Sequence, residues 1–376
     1  MKQNIKTRFN TVMQKFFPFL KKTSKAVGKG ALKVTKNTYI QFVFLGVILV
    51  VLQMIGAKGL LDVSLLRNIG ITIIFTIAAT GLYILLGFAG LASLGTAGFV
   101  GLGAYMTAYC INNGIAVELA LVICIFAAII LGIIVGFISL RIEGMYLGII
   151  TLGLSEILVS LFRNLDSITG GINGMKITDK FYLFKYIFGN AVRLGSFPAG
   201  RVNTFYVLVA VFILLLCLAR NITNSPTGRA MLTMKNSESA AQSMGIGLLR
   251  YRLLAFVIAT VFAMIAGFLY MIYMPRIYPS DWTLAFSLNI LAVVVVGGTK
   301  SIWGFLTGAF MIFGLNNLVL QNIDLFVQNP TLSILFNGAL MVLVVMFYPG
   351  GFSQLYLEIG YKIKLRKMKG AKAHAK

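Results

Sequence analysis

Ten stretches of this chain are apolar over the length a helix needs to cross a lipid bilayer, about 20 residues. They run over 39–57, 68–88, 96–112, 115–140, 145–163, 204–220, 252–275, 285–299, 302–322 and 331–348. Inside a bilayer no water satisfies the backbone, so segments like these fold as helices that pair their own N–H and C=O groups. The pattern predicts an all-α integral membrane protein of about ten transmembrane helices, with eight to ten as the range. Two segments are weak. The stretch 285–299 is short and ends in Gly297-Gly298, and 87–103 carries glycines at 87, 90, 95, 98, 101 and 103. Each is a candidate broken or re-entrant helix, a form tolerated at membrane depth only inside protein or beside a wet cavity.

Charge sets the expected topology. The 376 residues carry a formal net charge of +23, which by itself suggests a nucleic-acid binder. Its distribution argues otherwise: residues 1–36 hold ten Lys and Arg and no acid, and residues 362–376 hold seven and no acid. With ten spans and both ends in the cytoplasm, 24 of the 33 basic residues fall on the inner side and nine on the outer, as the positive-inside rule requires. The expected organisation is a basic cytoplasmic tail (1–38), a transmembrane domain (39–350) and a second basic cytoplasmic tail (351–376). The domain carries an external loop at 164–203 and a cytoplasmic loop at 220–251. The first span follows a long basic lead without a small-x-small cleavage site and reads as an anchor. In the lead, Phe9, Val12, Met13, Phe16, Phe17 and Leu20 follow three-four spacing. A helix on an anionic leaflet and a solvated tail both remain open there.

Several chemistries are excluded. Only 11% of residues are charged and 59% are hydrophobic, against about 25% charged in soluble domains. The only histidine, His374, lies in the tail, so the body has no Ser-His-Asp triad and no histidine metal site. Cys110, Cys124 and Cys217 are scattered in apolar runs. Thr23 stands where a phosphate-binding loop ending at Gly28-Lys29 needs its first glycine.

The loop 220–251 is the most informative segment. After Pro226, residues 227–243 predict a short polar helix capped by Thr227 and stopped at Met244-Gly245. It is too polar to span, yet keeps small and apolar residues outside the bilayer, as a docking surface does.

Within it, Gly228-Arg229-Ala230, Glu238-Ser239-Ala240-Ala241, Met244-Gly245-Ile246 and Arg250-Tyr251 follow in order. This run resembles the ATPase-coupling segment of ABC importer permeases, and more narrowly that of the branched-chain amino acid permease family. Other blocks are similar to the same family in order: GFAGLASLGTAGFVGLGAY (87–105), GMYLGIITLGLSEI (144–157), TGGINGM (169–175) and VVGGTKSIWG (295–304). The resemblance covers roughly residues 65–350. Leu91, Thr96 and Lys300 depart from the family's usual polar residue, His and Gly, and these departures bear on cargo more than on class.

The resemblance implies an ABC importer permease fold and half of a pathway for leucine, isoleucine or valine. The alternatives are another small solute (another amino acid, an amide such as urea, a sugar) and a stand-alone ion-coupled transporter. It implies a second related permease, two cytoplasmic ATPase subunits and an external solute-binding protein, in the inner membrane of a prokaryote. No cofactor is expected in this chain; ATP and Mg belong on the ATPases. No nucleic-acid partner is expected.

Gly228, Arg229, Glu238, Ala240, Ala241, Met244 and Gly245 are the candidate coupling residues. Ala240, Ala241 and Gly245 offer a small face for docking. For the pathway the candidates are Gly95, Thr96, Thr151, Glu156, Thr169, Gly170, Gly171 and Asn173. Glu156 is a carboxylate within a span and so a functional candidate; it faces the cavity, pairs with a partner subunit or is held neutral, with Thr151 and Ser155 near enough to hydrogen-bond it, and a polar-network role is favoured over direct substrate contact. The glycines of 169–175 are either a turn, the favoured reading, or a nest of N–H groups for a carboxylate. Gly132-x-x-x-Gly136 and Gly304-x-x-x-Gly308 read as close helix contacts. Glu118 and Asp281 are expected at the outer rim, with Tyr278 and Trp282 as interfacial anchors.

Overall fold

The computed structural model describes residues 38–57, 63–139, 146–177, 197–274, 276–315, 331–348 and 350–358, with residue 361 and short pieces between 181 and 194. Both basic tails, apart from 38, 351–358 and 361, lie outside these residues, as do Lys58 and Arg141. The chain divides into two units, 1–49 and 50–376. In the first, the described residues belong to α1 (Thr38–Ala57), which continues into the second unit.

The second unit follows the predicted apolar segments closely. It contains α2 (Val63–Ile84), which runs on into a π turn at Leu85–Ala89. Next come α3 (Thr96–Asn112), α4 (Val117–Ser139) and α5 (Tyr146–Asn164). After a segment of short antiparallel strand pairs come α6 (Ala199–Asn224), α7 (Pro226–Asn236) and α8 (Glu238–Ser243). The chain then forms α9 (Leu248–Tyr273), α10 (Leu284–Gly297), α11 (Ile302–Ala309, ending in a π turn at Phe310–Gly314) and α12 (Thr331–Phe347). The last described helix, α13, covers Gly351–Glu358.

The expected count of about ten, with eight to ten as its range, is approximate. Among the described residues, seven helices are long and apolar enough to cross a membrane, or eight if α12 and α13, bent by 44°, form one span. The glycines of α3 dilute its apolarity, and Ile302–Gly314 is short for a span. The glycine-rich weakness at 87–103 is a true break: the π turn ends at Gly90, and residues 91–95 are not helical before α3 begins. Residues 351–358, assigned above to the tail, are helical and packed. The buried Ser353 hydroxyl donates to Gly297 O (2.7 Å) and accepts from Ser301 N (3.3 Å).

Helices α2 and α9 are the most enclosed, with 72% and 61% of their apolar windows buried. Lipid tails are as apolar as leucine, so burial alone does not hold such helices together; close packing does. Small residues permit it. A Cβ at Gly267 of α9 would lie 2.0 Å from Val100 O of α3, and one at Gly81 of α2 would lie 2.9 Å from Ala259 O of α9. Gly132 and Gly136 of α4 meet Thr260 and Leu253 of α9, and Gly308 meets Gly297, which bears out both predicted small-residue contacts. Buried hydroxyls on α2 stay satisfied within the helix: Thr76 and Thr80 donate to the carbonyls four residues back at 2.6 and 2.7 Å.

Candidate functional site

The break between α2 and α3 creates a physical problem. A helix start leaves its first N–H groups without intrahelical partners, and this start is buried. Side chains of two other helices solve it. Thr151 Oγ1 of α5 accepts from Leu94 N (3.0 Å), Ser155 Oγ of α5 from Gly98 N (3.0 Å), and Ser287 Oγ of α10 from Ala97 N (3.0 Å). Ser93 Oγ accepts from Gly95 N (3.3 Å). Gly95 is required by contact, because a Cβ there would lie 2.6 Å from Thr151 O. Thr96 lines a cavity of about 10 Å³ with Ser93, Phe99 and Thr260, room for about one water.

This arrangement engages the two suggested hydrogen-bond partners of Glu156 elsewhere. Thr151 and Ser155 are buried on one side of α5 and serve the α3 backbone, while Glu156 is exposed on another side. Adjacent helical residues point about 100° apart, so one side chain faces inward and the next does not. Glu156 shares its exposed face with Gly153, Ile157 and Ser160. Among the described residues it is the one exposed charge in the middle of a span.

The TGGINGM segment is a turn, the favoured reading. Gly170, Gly171 and Gly174 have φ of 72°, 58° and 69°, a region open to glycine at little cost. Their N–H groups are engaged inside the turn. Gly170 N donates to Asp166 O (3.0 Å), Gly171 N to Thr169 Oγ1 (3.3 Å) and Gly174 N to Gly171 O (3.0 Å). The alternative anion nest at Thr169, Gly170 and Gly171 therefore has no donors to spare, although Asn173 is exposed. Met175 and Lys176 then pair with Ile277 and Arg276 in an antiparallel ladder. Close by in sequence, Asp281 closes the turn at Pro279–Asp281 by accepting from Tyr278 N (3.0 Å). Trp282, expected at the interface, is 1% exposed and packs edge-on to Tyr270 at 5.1 Å. Gly101 makes room for it: a Cβ there would lie 2.8 Å from the indole.

The polar loop folds as two helices, not one. Ser225, rather than Thr227, caps α7 by accepting from Gly228 N (3.2 Å), with Pro226 fixing φ at the first position. Ser237 breaks the predicted helix and caps α8 by accepting from Ala240 N (3.3 Å). Gly228 is buried against the carbonyls of Ile222 and Thr223. Arg229 turns back to Asn224 O (3.0 Å). Glu238 forms an ion pair with Arg252 in the first turns of α9, tying α8 to that helix. Ala241 is fully buried, so the expected small docking face of Ala240, Ala241 and Gly245 loses its middle member. The exposed features are Met244, 72% accessible, then Gly245, Leu232 and Leu249.

Lys235 was not singled out by its sequence context. Its Nζ donates to Gly87 O in the π turn that ends α2, at 2.9 Å. Partial burial of the ammonium lowers the Lys235 pKa from its ordinary 10.5. On its other side Gly87 lies against Thr299, whose carbonyl accepts from the Tyr83 hydroxyl (3.4 Å). Three sequence blocks, 87–105, 228–251 and 295–304, thus meet at one end of the helices.

Comparison with known proteins agrees with this picture. A family described as branched-chain amino acid transport system, permease component, matches residues 64–345. The high-affinity branched-chain amino acid transport system permease protein LivM of Escherichia coli (strain K12) is 32% identical over 310 residues, 78% of this chain and 70% of the relative. The protein of the same description from Salmonella typhimurium (strain LT2) is 30% identical over 332 residues, 84% and 75% of the two chains. The probable branched-chain amino acid transport permease protein LivM of Methanocaldococcus jannaschii is 27% identical over 247 residues, 61% of this chain and 67% of the relative. No solved structure gives a significant match.

Proposed function

Because the chain belongs to the branched-chain amino acid transport permease family, we propose that this multi-pass transport subunit forms half of the pathway of an ATP-driven importer for leucine, isoleucine or valine. Its partners in this reading are a second related permease, two cytoplasmic ATPases that bind ATP and Mg, and an external solute-binding protein. The membrane is the inner membrane of a prokaryote, and both basic tails lie in the cytoplasm. Hydrolysis takes place on the ATPases and no covalent chemistry on this chain.

The observation that carries the reading is the capped α7–α8 pair. It is a rigid, polar, non-spanning element with Met244 and Gly245 exposed at its end. Such a knob docks in a groove of an ATPase, with Gly228 and Ala241 buried inside it and Arg229, Glu238 and Ala240 helping to hold its shape. Glu156 supports the pathway assignment. A charge near the centre of a bilayer is costly when it faces lipid, so the Glu156 face of α5 belongs against the second permease and the route between the two. There the carboxylate is placed to meet the ammonium group of a passing amino acid. Gly95, Thr96, Thr151 and the turn at Thr169, Gly170, Gly171 and Asn173 position α3 and α5 around that route.

The test is reconstitution with the cognate partners in liposomes. ATP inside, with the binding protein and labelled leucine outside, drives uptake in this reading. Glu156→Gln lowers uptake without releasing the ATPases. Uptake by this chain alone under an ion gradient, or equal uptake with and without ATP, refutes the assignment.

A further inference from the structure

We propose that Lys235 is the positioning residue through which the α7–α8 loop moves the break between α2 and α3. The proposal rests on the importer reading above and names a link within it. Three observations converge. First, the Lys235 ammonium reaches across 148 residues of sequence to Gly87 O at 2.9 Å. Gly87 lies in the last turn of a helix, where carbonyls lack intrahelical partners and carry partial negative charge. A cation held there ties one element to another. Second, the aliphatic stem of Lys235 covers Gly90, the left-handed residue (φ 75°) that ends the π turn; a Cβ at Gly90 would lie 3.0 Å from Lys235 Cγ. The positive φ favours glycine there, and a side chain would push the lysine stem aside by a few tenths of an ångström. Third, the turn being held is π-helical, and π turns are local departures from the regular hydrogen-bond ladder, frequent at functional sites.

Beyond the turn, only residues 91–95 separate it from α3. The start of α3 is pinned to α5 by Thr151 and Ser155 and to α10 by Ser287. A displacement of α7 therefore pulls on the turn and, through these bonds, on α5, the helix that carries Glu156. The route from docking loop to pathway is one side-chain bond, one short segment and three hydroxyl caps. Arg252, a half-buried cation at this end, is engaged instead with Glu238, which holds α8 to α9.

Lys235→Met and Lys235→Arg in the complete reconstituted transporter test the link. In the methionine variant the ATPases stay bound and hydrolysis continues, while leucine uptake falls about tenfold, within the range of coupling between sites. Arginine keeps the cation and restores most of the uptake. In parallel, amide hydrogen exchange across 85–95 is measured on the chain alone in lipid nanodiscs, where it quickens in the methionine variant and not in the arginine one. A methionine variant that transports normally overturns the proposal. So does a loss of uptake matched by an equal loss of hydrolysis, or an arginine variant as impaired as the methionine one. If the wild-type complex shows no ATP-driven uptake, the importer reading falls. The exchange experiment then decides the link alone, and unchanged exchange at 85–95 refutes it.

Discussion

Thr151 and Leu94 are joined by a single hydrogen bond of 3.0 Å, from the Leu94 backbone N–H to the threonine hydroxyl oxygen. That bond places a side chain of α5 where the peptide chain has left one helix and not yet entered the next. Leaving a buried N–H without a partner costs about 1–3 kcal/mol. Thr151→Val preserves shape and removes the acceptor, so it is expected to lower stability by that amount. Thr151→Ser keeps most of it. Thermal unfolding of the purified chain in one detergent, comparing the two variants, checks this.

Glycine positions separate packing from exposure. A side chain at Gly267 meets Val100 O at 2.0 Å, whereas one at Gly153 meets nothing within 4 Å. Gly267→Val is expected to prevent α3 and α9 from packing and to abolish folded yield. Gly153→Val leaves the isolated chain folded and weakens association with the second permease. Gel filtration of the chain alone and with its partner distinguishes the two effects.

The ion pair between Glu238 and Arg252 is half open to solvent, so its contribution to stability is at most about 1 kcal/mol. Its value is geometric. Glu238→Lys sets two cations against each other, loosens α8 from α9 and reduces ATP-driven uptake. The double exchange Glu238→Lys with Arg252→Glu restores the pair and most of the uptake. If the double variant is no better than the single one, the pair does not set the loop's position.

Lys235 supplies a pH dependence. Its folded pKa lies below 10.5 because burial disfavours the charged form. Between the folded value and 10.5 the unfolded chain holds more protons than the folded one, so this group's contribution to stability rises with pH across that window. Coupling changes in the opposite direction, because the cation is lost as pH climbs through the folded pKa. Wild-type uptake per ATP is therefore expected to decline on the alkaline side at a lower pH than in Lys235→Arg. Coincident alkaline profiles for the two proteins contradict the assignment.

Much of the fold was legible because hydropathy over about 20 residues is a local property. Over its described residues each predicted apolar segment corresponds to a helix, and the run of glycines at 87–103 marks the place where the helix breaks. The polar loop stood out for the same reason: its composition differs from everything around it. Its internal break at Ser237 was missed because a serine that caps one helix looks like a serine within another until the backbone is seen.

The sequence by itself determined a helical membrane protein, its weak points and the blocks that mark its family. Tertiary structure decided what each polar group serves. Ser155 and Glu156 are neighbours in sequence, yet one caps a buried helix start and the other faces outward. Lys235 meets Gly87 only because two segments 148 residues apart pack at the same end. Hydropathy is written along the chain, but the partner of a hydroxyl or an ammonium is chosen by which distant backbone comes within 3 Å of it.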